Sequence, residues 1–376
     1  MRPIAEVDLG ALLRNVERLR NRCTPATQLL AAVKADAYGH GLVPVARALT
    51  EGGVGWLGVA TPDEASALRA AGIAARILIF GPLREDGLDA ALDADADLTV
   101  CDDDDVSALA RAISTGGRRR ADGTPPVRLH LKVDTGMGRL GRRPEHATQM
   151  ARTIVETPGV KLAAVWTHFA CADEPARDLT ARQQADFDGV CAALDADGLL
   201  PPLRHAANSA AVLAHPATHY ELVRPGIALY GYPPSAHLNA AADDLEPVLH
   251  LDAPVVAVRR LRAGEALSYG HTWSAPSDTT VATVRFGYAD GYPRALSNLG
   301  QAMLNERSCR VVGTVCMDQL MLDVGDAPVG VGDRATLIGP DGPRADELAV
   351  RAGTICYELL TRLGTRIERR YLARDG

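Results

Sequence analysis

One unit of the chain reads Trp56-Leu-Gly-Val-Ala-Thr-Pro-Asp-Glu-Ala-Ser-Ala-Leu-Arg-Ala-Ala-Gly72. Its short apolar run at residues 56–60 is typical of a strand. Pro62 stands at a first helical position, where a missing N–H does no harm, and Gly72 follows the helical pattern. The stretch therefore predicts a strand, a turn and an amphipathic helix, in that order.

The same order of elements recurs between about residues 27 and 230. Strands that alternate with helices favour a parallel sheet, and eight such units close a (β/α)8 TIM barrel. A doubly wound open sheet is the alternative, but no GxGxxG turn follows any of the runs. A further helix is predicted over residues 9–22, before the first run. The eight apolar runs are residues 29–33, 56–60, 76–80, 97–101, 128–133, 162–168, 203–207 and 222–224.

The pattern changes after about residue 235. Segments rich in Val, Thr and Leu are separated by turns of Gly, Pro and Asp, which is typical of a mostly antiparallel β domain. We therefore predict a barrel over residues 1–238 and a β domain over residues 239–376. The predicted strands of the β domain are residues 247–261, 279–286, 310–315, 319–324 and 334–338.

Composition narrows the class of protein. The formal net charge of −7 offers no basic surface for nucleic acid. No stretch is long and apolar enough for a membrane span, and the N-terminus lacks the apolar segment of a signal peptide. The seven scattered cysteines include no zinc-type spacing, which favours a reduced, cytoplasmic compartment and no metal. The charge runs at residues 102–105 and 118–120 are predicted to be solvated surface.

Lysine is rare in this chain. Of 40 basic residues only three are lysines, namely Lys34, Lys132 and Lys161. Arginine replaces lysine as a cation, but it cannot form an imine. Each retained lysine is therefore a candidate for chemistry that needs a primary amine, although chance retention is the alternative for any one of them.

Polar side chains follow several of the predicted barrel strands. In such barrels the functional side chains cluster at the carboxyl ends of the strands. Together these residues form a catalytic pattern rather than a packing one. The polar side chains are those of Lys34, Lys132, Asp134, Arg139, His168, Asn208, Ser209 and Arg224, and Gly226 and Ile227 offer backbone amides after the eighth run.

The first of the three lysines lies in the motif Ala32-Val-Lys-Ala-Asp-Ala-Tyr-Gly-His-Gly41. This motif resembles the attachment signature for pyridoxal 5′-phosphate (PLP) of the alanine racemase family, and the resemblance extends along nearly the whole chain. Further similar motifs occur in the same order, and a barrel followed by a β domain agrees with the family's architecture. They are Lys132-Val-Asp-Thr-Gly-Met-Gly-Arg-Leu-Gly141, Thr167-His-Phe-Ala170, Asn208-Ser209, Arg224-Pro-Gly-Ile227, Leu267-Ser-Tyr-Gly270, Gly287-Tyr-Ala-Asp-Gly-Tyr-Pro-Arg294, Val315-Cys-Met-Asp-Gln319 and Ile355-Cys-Tyr-Glu358.

The resemblance implies how PLP is held. Lys34 would carry the cofactor as a Schiff base, which requires a primary amine. Arg224 would face the pyridine nitrogen and keep the ring neutral, because a guanidinium cannot accept a proton, with His168 as its partner. The phosphate is expected to contact the backbone amides of Gly226 and Ile227 and the hydroxyl of Ser209, which follow the last two barrel strands. The resemblance adds the phenols of Tyr38 and Tyr357, and Asn208 is a further cofactor-binding residue.

Racemisation needs a proton removed on one face of the substrate and delivered on the other. The resemblance implies that Lys34 serves one face and Tyr269, from the β domain of the other subunit of a homodimer, serves the second. Arg139 and the backbone N–H of Met317 would hold the substrate carboxylate. Lys132 would be carbamylated and position Arg139, with a plain ammonium–carboxylate pair as the alternative.

The resemblance predicts alanine as substrate and D-alanine for cell-wall peptidoglycan as the product's use. Tyr357 and Tyr288 resemble residues of a narrow entrance that excludes long side chains. Thr314 is a departure, since many members carry arginine there, and we expect it to alter the outer entrance. The alternatives are a PLP-dependent amino-acid decarboxylase of the same fold, a non-catalytic PLP carrier, or a barrel hydrolase without PLP.

Overall fold

A computed structural model of the chain describes residues 1–84, 86–115 and 127–372. The predicted surface run at residues 118–120 lies outside these ranges, so the structure does not test it. The chain starts with strand β1 (Ile4–Asp8) and helix α1 (Leu9–Arg20). The carboxylate of Asp8 accepts the N–H of Ala11 at 2.8 Å and thereby caps α1.

The predicted eight-stranded parallel barrel is confirmed. Among the first seven strands, each pairs in parallel with its neighbour along the chain, and the eighth pairs in parallel with the first. A parallel bridge between Asn208 and Arg224 joins the segments that follow the final two strands. The strands are β2 (Gln28–Ala32), β3 (Trp56–Val59), β4 (Arg76–Pro82), β5 (Asp97–Val100), β6 (Val127–Lys132), β7 (Val160–Trp166), β8 (Leu203–His205) and β9 (Leu222–Val223).

Helices connect the barrel strands. The helix predicted from Pro62 begins there, because Thr61 and Glu64 form a capping box. The helical segments are α2 (Lys34–Tyr38), α3 (Leu42–Glu51), α4 (Pro62–Ala70), α5 (Leu88–Asp93), α6 (Asp103–Thr115), α7 (Ala147–Glu156), α8 (Leu179–Ala196) and α9 (Ser209–Ala214). Within the described ranges no helix combines the length and the apolar character that a membrane crossing needs.

The C-terminal part is built on a second, mostly antiparallel sheet, as predicted. Its longest strand, residues 249–261, pairs with both ends of a run of five consecutive neighbouring strands. Part of the sheet therefore closes into a ring. The elements are β10 (Leu249–Leu261), β11 (Ala266–Leu267), β12 (Trp273–Ser274), β13 (Thr279–Val284), β14 (Gln301–Leu304), β15 (Arg307–Val311), β16 (Leu320–Gly325), β17 (Arg334–Ile338), α10 (Ala345–Ala352), α11 (Cys356–Thr361) and β18 (Glu368–Leu372).

Strand β1 departs from the predicted division at residue 238. It pairs antiparallel with β10 and parallel with β18, so the first strand of the chain belongs to the second sheet. A five-residue strand carries no information in its own sequence about a partner more than 240 positions away. The two sheets also share one continuous hydrophobic core, in which Val7 packs with residues of both parts.

Candidate active site

Lys34 is positioned by an unusual backbone. The four residues that follow it, Ala35 to Tyr38, all have φ between 53° and 55°, the left-handed region that costs L-residues roughly 1–2 kcal/mol each. Neighbouring groups hold this turn. Glu64 accepts the N–H of Ala35 at 2.6 Å, and Arg369 donates to the carbonyl of Gly39 at 2.9 Å. The capping residue of α4 and a residue of β18 therefore both fix where Lys34 projects.

The surroundings of Lys34 favour its neutral amine. Burial lowers the pKa of this lysine, the positive charge of Arg139 lowers it further, and Glu64 opposes the change. The ammonium lies 5.7 Å from the centre of the Phe80 ring. A lysine that gives up its proton readily can act as a nucleophile and as a base.

Arg224 is buried at the mouth of the barrel and makes a dense set of hydrogen bonds. Its Nη2 donates to the carbonyls of Thr167 and Ala206, both at 2.9 Å, and lies 3.2 Å from Nδ1 of His168. Burial lowers the pKa of Arg224 to about 9, so it remains charged at neutral pH. Among the described residues its Nε–H has no acceptor, which leaves a donor free for a ligand atom.

A chain of buried side chains runs from Arg224 into the barrel. Its Nη1 lies 3.0 Å from Nδ1 of His205, Nε2 of His205 lies 3.0 Å from Nδ1 of His130, and Nε2 of His130 lies 3.0 Å from Asp97. Because arginine only donates and a carboxylate only accepts, every bond in the chain points from Arg224 towards Asp97. Both histidines are therefore neutral, each with its hydrogen on Nε2.

Asp97 is the anion at the far end of this chain. Burial alone would raise its pKa, but the hydrogen bond from His130, together with Arg128 and Arg76, outweighs burial and lowers it. The guanidinium groups of Arg76 and Arg128 each approach its carboxylate to 2.5 Å. The network therefore balances the buried charge of Arg224 through neutral imidazoles and keeps its guanidinium in one orientation.

Buried neutral histidines predict that stability falls in acid. Burial lowers the pKa of His130, places those of His168 and His205 well below the usual range, and brings that of His40 to about 4. Below about pH 6.5 these histidines bind protons in the unfolded chain but stay neutral in the folded protein. The free energy of unfolding should therefore drop by ~1.4 kcal/mol per pH unit for each buried histidine.

Urea unfolding between about pH 7.5 and 5 measures this slope. His40→Gln should reduce the slope, because one buried histidine is removed, whereas exposed His146→Gln should leave it unchanged. An unfolding free energy that stays flat over this range would contradict the neutral histidines.

A second group of residues forms a cradle beside Arg224. The hydroxyl of Ser209 accepts the N–H of Gly226 at 2.8 Å and that of Ala228 at 3.3 Å. A Cβ on Gly226 would lie 2.4 Å from the phenolic oxygen of Tyr38, so only glycine fits here. Among the described residues neither the Ser209 nor the Tyr38 hydroxyl has an acceptor for its hydrogen. Two free hydroxyl donors suit a phosphate group. The N–H of Gly226, predicted as a phosphate donor, instead donates to Ser209.

The other residues predicted at the cofactor surround this cradle. Tyr357 lies 6.1 Å from Tyr38 between ring centres, and Ile227 starts the short 3-10 turn Ile227–Tyr230. Asn208 spends its side-chain oxygen on capping α9, where it accepts the N–H of Ala211 at 3.0 Å. Asn208 therefore orients Ser209 by shaping the helix start. Cradle and Arg224 together offer donors for a phosphate and for a ring nitrogen, so these residues fit PLP.

Lys132 is buried without an anionic partner. Its ammonium lies 4.1 Å from the centre of the Trp166 ring, and no carboxylate of the described residues forms an ion pair with it. Burial lowers its pKa to about 8, helped by the charges of Arg224 and Arg139. The structure therefore does not support the plain ammonium–carboxylate pair. In the described part of the chain, no cluster of His, Cys, Asp and Glu could hold a metal.

The residues predicted from the β domain do not join this site within one chain. Tyr269 is 72% exposed and Met317 is 53% exposed, and no hydrogen bond or ring contact of the described residues links either to Lys34. Tyr269 lines a surface cavity of about 580 Å³ together with Ser268, Cys316 and Gln319. Tyr288 is exposed as well. One chain thus provides the barrel mouth and, elsewhere, an exposed tyrosine on a concave surface.

Thr314 lies in the interior of the protein. It is buried beneath the turn that carries Tyr269, and its hydroxyl donates to the backbone carbonyl of Tyr269 at 2.8 Å. A buried hydroxyl with a backbone partner contributes to the shape of that turn, and it does not line the outer surface.

The sequence did not reveal the buried network of Asp97, His130 and His205, or the contact of Glu64 with the turn after Lys34. A signal for the network exists in the sequence. A histidine or aspartate inside an otherwise apolar barrel strand has to find a buried partner. The sequence could not pair them, because they lie on three different strands, β5, β6 and β8.

Comparison with known proteins agrees with this geometry. The family model described as "Alanine racemase, N-terminal domain" matches residues 7–234, and "Alanine racemase, C-terminal domain" matches residues 248–371. The chain is 43% identical to the alanine racemase of Symbiobacterium thermophilum, over 99% of this chain and 97% of that protein. It is 41% identical to that of Streptomyces coelicolor, over 99% and 96%.

Solved structures show the same similarity. The crystal structure of alanine racemase from D-cycloserine-producing Streptomyces lavendulae superposes with a TM-score of 0.92 at 39% identity, covering 99% of this chain and 97% of that one. The similarity therefore extends over both the barrel and the second sheet.

Proposed function

The chain belongs to the alanine racemase family, and we propose that Lys34 and Tyr269 are the two bases with which it interconverts L-alanine and D-alanine. The family depends on PLP, which when bound draws electrons from the α-carbon of the amino acid and so acidifies its hydrogen. The observation that carries the proposal is the place of Lys34, a lysine of lowered pKa two residues after Ala32. The N–H of Ala32 donates at 3.0 Å to the carbonyl of Pro225, which stands between Arg224 and Gly226 of the cradle.

Each of the two bases transfers the α-proton on one face of the substrate. Lys34, held by the left-handed turn, would remove or return the α-proton on one face, and Tyr269 would do so on the other. Arg139 supports the site electrostatically, because its charge lowers the pKa of both Lys34 and Lys132. We assign Arg139 and the backbone N–H of Met317 to the substrate carboxylate.

A homodimer would complete the site. Tyr269 and Met317 are exposed on one chain, and Tyr269 borders a concave surface, whereas Lys34 lies at the barrel mouth. A symmetric dimer gives each chain the same surface to offer its partner. In this arrangement the β domain, residues 239–376, contributes Tyr269 and Met317 to the neighbouring barrel, residues 1–238, with β1 as the exception already described.

Arg224 favours racemisation over decarboxylation. Its guanidinium can only donate, and the chain through His205 and His130 to Asp97 keeps it charged and oriented. A ring nitrogen facing it stays unprotonated, which limits electron withdrawal and side reactions. A carboxylate in this place would do the opposite, so the decarboxylase is the weaker alternative. The second sheet with Tyr269 argues against a non-catalytic carrier, which would need only the barrel.

We assign a carbamate to Lys132. A buried lysine with a pKa of about 8 between two arginines has the free amine that carbon dioxide requires. The resulting anion would pair with Arg139 and remove the repulsion among three cations. The mass of the native protein tests this assignment, since Lys132→Met should lose one carbon dioxide that the natural chain carries. Equal carbon dioxide content in both proteins would exclude it.

The setting of the reaction follows from the family and the composition. We propose that the enzyme acts in the cytoplasm and supplies D-alanine for cell-wall peptidoglycan. Tyr357 and Tyr288 would narrow the approach to the site and favour a methyl side chain over longer ones.

Incubation of the PLP-loaded protein with L-alanine tests the proposed function. We expect D-alanine to accumulate to equal amounts of both enantiomers, with no release of carbon dioxide. Carbon dioxide without D-alanine would identify a decarboxylase, and absence of both products would favour a carrier.

A further inference from the structure

We infer that Thr314 is a positioning residue for Tyr269, acting through the backbone carbonyl of that tyrosine. The inference rests on the proposed function, in which Tyr269 is the second base. Thr314 itself is 6% exposed and lies beneath the turn, so its hydroxyl touches neither substrate nor cofactor. It acts on the phenol only by determining the path of the chain that carries it.

The backbone of the turn around Tyr269 is strained and needs contacts from other segments to keep its conformation. Ser268 has φ 66° and ψ −178°, a combination that essentially only glycine adopts without strain. Gly270 and His271 also have positive φ, at 71° and 45°. A non-glycine residue keeps such a conformation only where its surroundings determine it. The position of the phenol therefore depends on the contacts that fix this turn.

Thr314 supplies two of those contacts. Its hydroxyl donates to the carbonyl of Tyr269 at 2.8 Å, and its own carbonyl accepts the hydroxyl of Ser268 at 2.7 Å. The neighbouring Gly313 lets the two segments approach closely, since a Cβ there would lie 2.8 Å from the side chain of Ser268. Two successive residues of the strained turn are thus tied to one threonine.

The hydroxyl of Thr314 is itself oriented by a hydrogen-bond chain. Asn298 donates to the hydroxyl of Thr272 at 3.1 Å, and the hydroxyls of Thr272 and Thr314 lie 3.4 Å apart. Because Thr314 spends its one hydrogen on Tyr269, it can only accept from Thr272. The side-chain oxygen of Asn298 closes the loop by accepting the N–H of Gly313 at 2.7 Å. The chain is directional and ends on the carbonyl of Tyr269.

Thr314→Val tests the inference, because valine keeps the shape of threonine and removes only the hydroxyl. We expect kcat to fall by about ten- to a hundredfold, with KM changing much less, since a displacement of about 1 Å in a catalytic group can have such an effect. Thr314→Ser restores the hydroxyl and should recover most of the rate. Thr153→Val is the matched control, because that hydroxyl also donates to a backbone carbonyl, at 3.3 Å, but on α7.

Direction-specific measurements separate positioning from general damage. The two enantiomers have equal free energy, so kcat/KM must fall equally in both directions. The α-deuterium isotope effect should nevertheless rise only in the direction in which Tyr269 removes the proton. In apo protein, hydrogen exchange of the amides at residues 268–272 should accelerate in Thr314→Val and not in Thr314→Ser.

A double variant decides between failure of this inference and failure of the proposed function. If Thr314 acts through Tyr269, adding Thr314→Val to Tyr269→Phe should leave the residual rate unchanged. A further fall by the same factor as in the natural background, or a Thr314→Val enzyme as active as Thr153→Val, would overturn the positioning role alone. Full interconversion by Tyr269→Phe would instead remove the second base, and this inference with it.

Discussion

Replacement of Lys34 by arginine is expected to reduce racemisation by about 10⁴-fold or more, the scale on which loss of a covalent catalytic group lowers kcat. Arginine is a basic side chain of similar length but has no primary amine. The variant would therefore lose both the attachment point for PLP and one of the two bases.

Borohydride reduction followed by peptide mass mapping measures the attachment. In the natural chain we expect the pyridoxyl group on Lys34, and in Lys34→Arg on no lysine. Lys161→Arg is the matched control, since Lys161 is exposed on β7 and outside the site. Recovery of the label on Lys132 or Lys161 in the natural chain would show that another lysine carries the cofactor.

Tyr269→Phe is expected to reduce interconversion by about 10²- to 10⁴-fold, the contribution typical of a positioned acid or base. Attachment of PLP to Lys34 should be unaffected, because the phenol lies in the other part of the chain. In deuterated water the natural enzyme should label both enantiomers. The variant should label only the enantiomer whose proton Lys34 removes, since the opposite face has lost its base.

Matched controls make this prediction specific. Tyr220→Phe removes a phenol that donates to Asp188 at 2.6 Å on the outside of the barrel, and it should keep its activity. Continued labelling of both enantiomers by Tyr269→Phe would exclude the two-base assignment.

Mixing the two inactive variants tests the shared site. A dimer of one Lys34→Arg chain and one Tyr269→Phe chain would hold one site with both natural bases and one with neither. Random mixing should therefore restore about a quarter of the natural number of sites. If each site were built within a single chain, mixing would restore no activity.

The sequence predicted the order and type of the barrel elements well, for a physical reason. A strand buried in a parallel sheet is an apolar run, and its helix starts at local signals such as Thr61, Pro62 and Glu64. Both signals depend only on residues that are close in sequence. Lys34 was also predictable without the fold, because the composition shows how rare lysine is in this chain.

Other features were invisible until the chain was folded. β1 joins a sheet formed by residues near the other end of the chain, and Glu64 serves both its own helix and the turn after Lys34. The contacts of Thr314 were also not foreseeable, since only the fold shows that it is buried and donates to the carbonyl of Tyr269. Each depends on contacts between segments distant in sequence.

The sequence by itself determined the barrel, the second β domain and the lysine and arginine available for chemistry, because local periodicity and residue type specify these. Only the tertiary structure decided which groups work together. The hydrogen bonds from Arg224 through His205 and His130 to Asp97 connect residues on or next to four different barrel strands. Their direction follows from donors and acceptors that meet only in the folded chain. Burial likewise exists only there, and burial is what lowers the pKa of Lys34 and leaves its amine ready to react.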